Sequence, residues 1–260
     1  MRRAIPFTAL ILLAAFVLSG FSSQEIVVGR RRATSAATPT LVNSGTAAGT
    51  TGSNSLSASA FSSSLTNPSF IIVAFVDVQN TGASYTASDT AGNTYVDCGP
   101  GKLLYASSAR IVQCFYALNT HTTASNVVKV TISAGTLNFA RMVAGEFTNV
   151  ATSSPIDGGS GQGYSSKAAS TCGTAGANNC TATSMTTNTN GDLIVSIGAT
   201  TQAQPSAGTS PVSYTSVGVG GTTILMEYAI QSSAGAIQPT MGSSFTNDDW
   251  CNISVGAKHN

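Results

Sequence analysis

The stretch Phe70-Ile71-Ile72-Val73-Ala74-Phe75-Val76-Asp77-Val78 is the longest apolar run after the N-terminus, and it limits what the chain can become. Turn chemistry brackets it, Asn67-Pro68 before and Asn80-Thr81-Gly82 after. Nine residues rich in branched and aromatic side chains are short for a helix and usual for a strand. With no polar side, such a strand must be covered on both faces. A lone sheet cannot supply that cover, so the run predicts packed layers of β structure.

Candidate strands follow at short intervals, separated by Gly, Asn, Pro or Ser clusters, with no helix-length period between them. Val128, Val130 and Ile132 oppose Lys129, Thr131 and Ser133; Leu193, Val195, Ile197 and Ala199 oppose Ile194, Ser196, Gly198 and Thr200. Ile224, Met226, Tyr228 and Ile230 oppose Leu225, Glu227 and Ala229, and Cys251, Ile253, Val255 and Ala257 oppose Asn252, Ser254 and Gly256. Each alternation predicts one buried and one wetted face. Less regular strands fall at 94–96, 103–105, 111–118 and 139–147. The expected fold class is all-β: an antiparallel two-sheet β-sandwich, jelly-roll-like, built as one domain over residues 55–260. On that plan Phe70, Ile72, Ala74, Val76 and Val78 face the inter-sheet core. Ile71, Val73 and Phe75 then need cover from the segment before Leu56 or from 151–183, a Gly/Ser-rich excursion too long for an ordinary turn.

The N-terminus has the three zones of a secretory signal over residues 1–22: Met1-Arg2-Arg3, an apolar stretch to Leu18, then Ser19-Gly20-Phe21-Ser22. A retained membrane anchor is the alternative, but the apolar core is shorter than the roughly 20 residues a spanning helix needs. The expected location is secreted, extracellular or cell-surface, with no membrane span in the mature form. Residues 23–54 read as a basic segment ending at Arg30-Arg31-Arg32, followed by a low-complexity Thr/Ala/Gly/Ser linker or loosely held first strand.

Charged residues make up only 8 % of the 260, against about a quarter in ordinary soluble domains, and Ser, Thr, Asn, Ala and 26 Gly fill the deficit. The surface is therefore hydroxylated rather than ionic. Arg2, Arg3 and the three arginines at 30–32 precede the folded part, and beyond them six cations face nine acids, a balance of −3. Such a domain has no field to gather nucleic acid.

Five cysteines in an exported chain permit pairing. Cys172 and Cys180 bracket a Gly/Asn loop that a bridge would restrain, and Cys98 and Cys114 flank Leu103-Leu104-Tyr105 and can meet across neighbouring strands. Cys251 shares the inward parity of Ile253 and reads as a small buried hydrophobe. His121 and His259 do not complete a zinc set with these cysteines.

Three residue groups are candidates for chemistry. In Asp89-Thr90-Ala91-Gly92-Asn93-Thr94-Tyr95, Asp89 can accept from backbone N–H groups while Gly92 and Asn93 tolerate positive φ, which makes a shaped turn. Its functional alternative is a calcium site using Asp89, Asn93 and Asp97, the sole cofactor expectation. Glu146 and Glu227 fall within expected strands, and paired carboxylates on one sheet face hydrolyse glycosides, although Glu227 has the parity of a solvated residue. Asp248, Asp249 and Trp250 combine carboxylates with the sole Trp as a ligand-binding group; outward parity either exposes Trp250 to a sugar or packs it under a loop. No Gly-x-Ser-x-Gly elbow is present, and Gly158-Gly159-Ser160-Gly161-Gln162-Gly163 precedes no helix and so is no phosphate cradle.

The blocks Asp89–Tyr95, Phe115-Tyr116-Ala117-Leu118-Asn119, Ala144-Gly145-Glu146-Phe147 and Ser154-Pro155-Ile156-Asp157, in that order, resemble a group of exported bacterial β-sandwich proteins. The resemblance runs from about Leu56 to the C-terminus. It implies secretion, a jelly-roll-like fold and a surface or matrix setting, and it transfers no catalytic residue. The expected function is a non-enzymatic surface module for adhesion or glycan binding, with an extracellular glycan or another surface protein as partner. A structural assembly subunit and a glycoside hydrolase are the alternatives.

Overall fold

The computed structural model describes residues 37–78, 80, 82–99, 101–105, 109–157, 180–242 and 248–260, and the backbone of 164–172. The signal-like segment, the three consecutive arginines and the Gly-rich 158–163 loop lie outside the described residues. Sixteen strands follow in order: β1 (Thr40–Thr50), β2 (Ser55–Ser57), β3 (Ser69–Val78), β4 (Tyr85–Asp89), β5 (Val96–Asp97), β6 (Leu103–Tyr105), β7 (Arg110–Asn119) and β8 (Val128–Ile132). Then come β9 (Ala140–Thr148), β10 (Tyr164–Cys172), β11 (Met185–Thr187), β12 (Asp192–Thr200), β13 (Thr215–Val219), β14 (Ile224–Gln231), β15 (Gly235–Ile237) and β16 (Asp248–Ala257). No helix occurs among the described residues, and no helix there is long and apolar enough to cross a membrane.

The all-β class is as the sequence predicts, and every strand pairing is antiparallel. One large sheet has the order β1-β9-β3-β7-β5, with β6 also on β7; the other has the order β10-β16-β12-β14-β13. Between them, Phe70, Ile72, Ala74 and Val76 of β3 share a core with Val195, Ile197, Ile253 and Val255. These are the inward parities expected of β3, β12 and β16. Cys251 is buried in the same core.

The other face of β3 corrects the sequence reading. Ile71, Val73 and Phe75 are covered neither by the segment before Leu56 nor by 151–183, but by a third sheet of order β2-β8-β4, through Leu56, Val128, Val130, Ile132 and Tyr85. Fully burying each such side chain contributes about 1.5–3 kcal/mol, so both faces of β3 stabilise the fold. The second large sheet is also covered outside. Met185 and Ile237 of the small β11-β15 pair pack with Ile194, Tyr214 and Ala229, so β12 has no wetted face.

The segment before Leu56, read as a linker or a loosely held first strand, takes the strand alternative. β1 pairs along most of β9, with Leu41 opposite Phe147 and Thr46 opposite Val143. Its sequence hides it: small residues suffice at this edge, and a Cβ on Gly45 would stand 2.4 Å from the Ser59 carbonyl oxygen. The excursion at 151–183 contributes β10, which joins the second sheet beside β16. Cys98 and Cys114 are bonded, their Cα atoms 5.4 Å apart, tying the loop after β5 to β7.

The two halves of the chain follow one plan. In each large sheet the first strand neighbours the last, then come two inner strands and a short strand that comes before the second of them in the chain: β1-β9-β3-β7-β5 in one, β10-β16-β12-β14-β13 in the other. In each, the strand after the first pairs with the strand before the last, β2 with β8 and β11 with β15. Registers correspond as well: Ile72 lies between Tyr116 and Gly145, Val195 between Tyr228 and Val255. The chain passes from the first large sheet to the second once, and Ala36–Asn260 form one compact unit.

Candidate functional site

The ends of β3 and β7 carry the open clefts, and the Asp89 turn shapes one end. The Asp89 carboxylate accepts from Asn93 N at 3.0 Å, Asn93 Nδ2 at 2.8 Å, the Tyr95 hydroxyl at 3.0 Å and Asn126 Nδ2 at 3.2 Å. Asn126, fully buried, accepts through Oδ1 from the Thr90 hydroxyl and from Ala91 N. Gly92 turns the chain at φ 82°, a conformation open to glycine without steric cost. Burial, with Asp89 next to it, pushes the Tyr95 hydroxyl far above its ordinary pKa, so it stays a neutral donor. The opposite rim is held by buried Asn119, which donates to Thr66 O, the Ser69 hydroxyl and His121 O and accepts from His121 N.

Between these rims lies a cleft of about 470 Å³, lined by Asn93, Thr94, Val96, Tyr116, His121 and Pro155 among others. Tyr116 is braced by Phe70, ring centroids 5.5 Å apart. Ser154, beside Pro155, adopts φ 45° without being glycine, a local strain that tends to mark shaped functional loops. On the far side of Asn93-Thr94 is a second cleft of about 410 Å³, lined by Thr86, Tyr95, Asp97, Gln113 and Phe115. Asp97 accepts from Gln113 Nε2 at 2.9 Å and from Gly99 N and Gly101 N, while Gln113 Oε1 has no hydrogen-bond partner. Pre-set hydroxyl and amide groups over apolar and aromatic surface, in this volume range, suit a small polar organic ligand.

The same hydrogen bonds argue against the calcium reading. Four donors point at Asp89 and three at Asp97, the wrong polarity for a cation. Asn93, expected as a third ligand, turns its amide nitrogen toward Asp89. Among the described residues no group of three His, Cys, Asp or Glu side chains is placed to hold a metal ion.

Glu146 and Glu227 do not form a pair. Glu146 faces the β2-β8-β4 layer, fully buried, accepting from Asn43 Nδ2 at 2.6 Å, Thr66 N at 2.8 Å and the Ser69 hydroxyl at 2.7 Å. Glu227 lies on the outer face of the second sheet and is buried, not solvated as its parity suggested, because the chain at 205–214 covers that face. Both large sheets and the core between them, which alone spans roughly 10 Å, separate the two carboxyls. Glycosidase carboxyls sit about 5–9.5 Å apart across one substrate. Burial pushes the Glu227 carboxyl up to about 7, against the pull of Gly208 N, which donates at 2.7 Å.

Trp250 is only 9 % exposed and packs with Leu225, Met241 and Cys180, so the loop-covered alternative is the one adopted and its ring is no sugar platform. Asp248 is buried, accepting from the Thr201 hydroxyl and from Ala203 N, which anchors the chain after β12; Asp249 follows it on β16, half-buried. Asp248 and Trp250 thus brace a loop. Of the expected Cys172–Cys180 bridge, the Cys172 side chain lies outside the described residues, and Cys180 is buried with its Sγ donating to Cys251 O.

One carboxyl pair escaped the sequence reading. Asp157 accepts from Asn188 N and Nδ2, and these donors outweigh burial to hold its pKa low. Asp192, fully buried, is raised by burial and by Asp157 despite the Thr189 hydroxyl; His259 Nδ1 stands 3.7 Å from Asp192. Their separation in the chain left no spacing signal. The pair pins the C-terminus, where Val150 bridges His259 and Ile156 bridges Ala257. The chain matches no family model, no curated protein and no solved structure.

Proposed function

We propose that this is a secreted or cell-surface, non-enzymatic β-sandwich module that binds a glycan in the paired clefts on either side of Asn93-Thr94. One observation carries the reading: three of the four sequence blocks behind the resemblance, those holding Asn93, Tyr116 and Ser154-Pro155, meet around a single cleft. The lining fits the ligand, since sugars offer hydroxyls to amides and phenols and C–H faces to apolar or aromatic surface. The signal-like N-terminus and the hydroxylated surface support an external setting. The order β1-β9-β3-β7 over β2-β8-β4 supports a jelly roll in the first half, and β10-β16-β12-β14 with β11-β15 supports an abbreviated second one.

A glycan array with the folded protein tests this. Neutral glycans are expected to bind, and Tyr116→Ala and His121→Ala each to weaken them about tenfold or more, the loss that goes with roughly 1.4 kcal/mol. A blank array from a protein that polymerises on concentration would instead favour an assembly subunit. That second reading rests on Val219, 44 % exposed on β13, the outermost strand of its sheet, since unpaired strand edges are open to neighbouring copies.

A further inference from the structure

At the other end of β3, two arginines meet without a counter-ion. Arg110 of β7 pairs with Val78 and Arg141 of β9 pairs with Val76, so the two flank β3 on the face that looks toward the second sheet. Their strands stand two spacings apart, roughly 10 Å, a gap that two guanidinium side chains can close. Both line a pocket of about 290 Å³ with Asn138, Phe139, Thr222 and Thr223. Among the described residues neither arginine has a carboxylate within salt-bridge distance. The neighbouring acids are turned elsewhere: Asp77 accepts from Val78 N, Asn80, Tyr85 and Asn138 N on the opposite face, and Asp248 takes the Thr201 hydroxyl and Ala203 N.

The Arg141 guanidinium is held in place with its charge unspent. One terminal nitrogen donates to the Thr223 hydroxyl at 3.0 Å, Nε is buried without a partner, and Gly221 lies so close that a Cβ there would stand 2.5 Å from Nε. Burial first, then the charge of Arg110, lowers its pKa, with Tyr105 acting the other way. In a folded part with six cations in all, two of them share this pocket.

Beside them stands Phe139, 53 % exposed at φ 49°. A bulky side chain at positive φ is a conformational outlier with a cost of order 1–3 kcal/mol, and here it leaves an aromatic ring in solvent at the rim of a cationic pocket. Its N–H donates to the Thr51 hydroxyl at 3.1 Å, which fixes the ring's base.

We propose that this pocket is an oxyanion site for an acidic saccharide: Arg110 and Arg141 take a carboxylate or sulfate group, and Phe139 stacks on the sugar ring that carries it. Guanidinium forks match such groups in geometry and charge, and the threonine and asparagine groups around them suit the ring hydroxyls. The site lies at the opposite end of β7 from the paired clefts and does not depend on them.

Isothermal titration of the folded protein with sodium sulfate, glucuronic acid, an oligogalacturonate and the matching neutral oligogalactose tests it. The oligogalacturonate is expected to bind best. Arg110→Gln and Arg141→Gln should each weaken it roughly 10- to 100-fold, the loss that goes with one charged hydrogen bond. Phe139→Ala should weaken glucuronic acid and the oligogalacturonate but leave sulfate unchanged, and Tyr116→Ala should leave all three unchanged. The proposal is overturned if no acidic probe binds, if the neutral oligomer binds the Tyr116→Ala protein as well as the acidic one does, or if folded arginine variants bind like the parent. Sulfate binding as tightly as the saccharides, with no effect of Phe139→Ala, would reduce the site to one for free oxyanions and overturn the saccharide assignment. Should Arg141→Gln fail to fold, Arg110→Gln and Phe139→Ala decide between the same outcomes.

Discussion

Glu227 shows how a residue can be read with the right parity and the wrong environment. Alternation along β14 placed it opposite Met226 and Tyr228, and it is opposite them; what alternation cannot supply is the chain at 205–214 that covers the outer face. The buried carboxyl has consequences for stability. Its folded pKa, about 7, lies above the ordinary 4.5, so the folded state holds the proton more tightly than the unfolded one. The stabilising contribution is therefore complete below about 4.5 and is lost as pH rises through about 7, a change of at most about 3 kcal/mol. Urea unfolding at pH 4.5, 6 and 8 should show this decline in the parent and lose most of it in Glu227→Gln. Equal pH dependence in the two proteins would mean that the carboxyl is solvated.

At the scale of elements, the strands with large alternating side chains were legible and the weak ones were not. β12, β14 and β16 announce themselves because burying a branched or aromatic face needs a regular period, and β3 does so as an unbroken apolar run. β1 does not, because Thr, Ala, Gly and Ser are also what a loop uses, and only the closeness of the Ser59 carbonyl explains Gly45. The paired clefts were half legible: the Asp89 turn stood out as a shaped turn, yet its partners, Asn126 and the His121 rim, lie far along the chain. The Cys98–Cys114 bond, closing a separation of 16 residues, is the covalent element nearest the clefts. A loop of that length corresponds to about 3 kcal/mol in the chain-entropy account. Replacing both cysteines with alanine should lower unfolding free energy by about that amount, and the short β5, which carries Val96 into the cleft, should show faster amide exchange.

For the whole molecule, the layered antiparallel all-β plan was legible but the repeat of that plan in the two halves was not. The local likeness is short, as in Phe115-Tyr116-Ala117-Leu118 against Glu227-Tyr228-Ala229-Ile230, where only the Tyr-Ala step is identical, and the matching register appears only when strands are paired. The halves nevertheless fold as one body, because Phe70, Ile72 and Phe147 of one share a core with Ile197, Met226 and Ile253 of the other. Separating them would expose that core to water, so calorimetry should record a single transition with equal calorimetric and van't Hoff enthalpies. Two resolved transitions would mean that each half is stable alone.

The single passage from one large sheet to the other has a topological consequence. Each half is a continuous length of chain, so two molecules can exchange halves without threading one chain through another. An exchanged dimer would close the same Phe70–Ile253 core that the monomer closes, now between copies. Concentration during folding, rather than any new surface, then decides how many copies become linked.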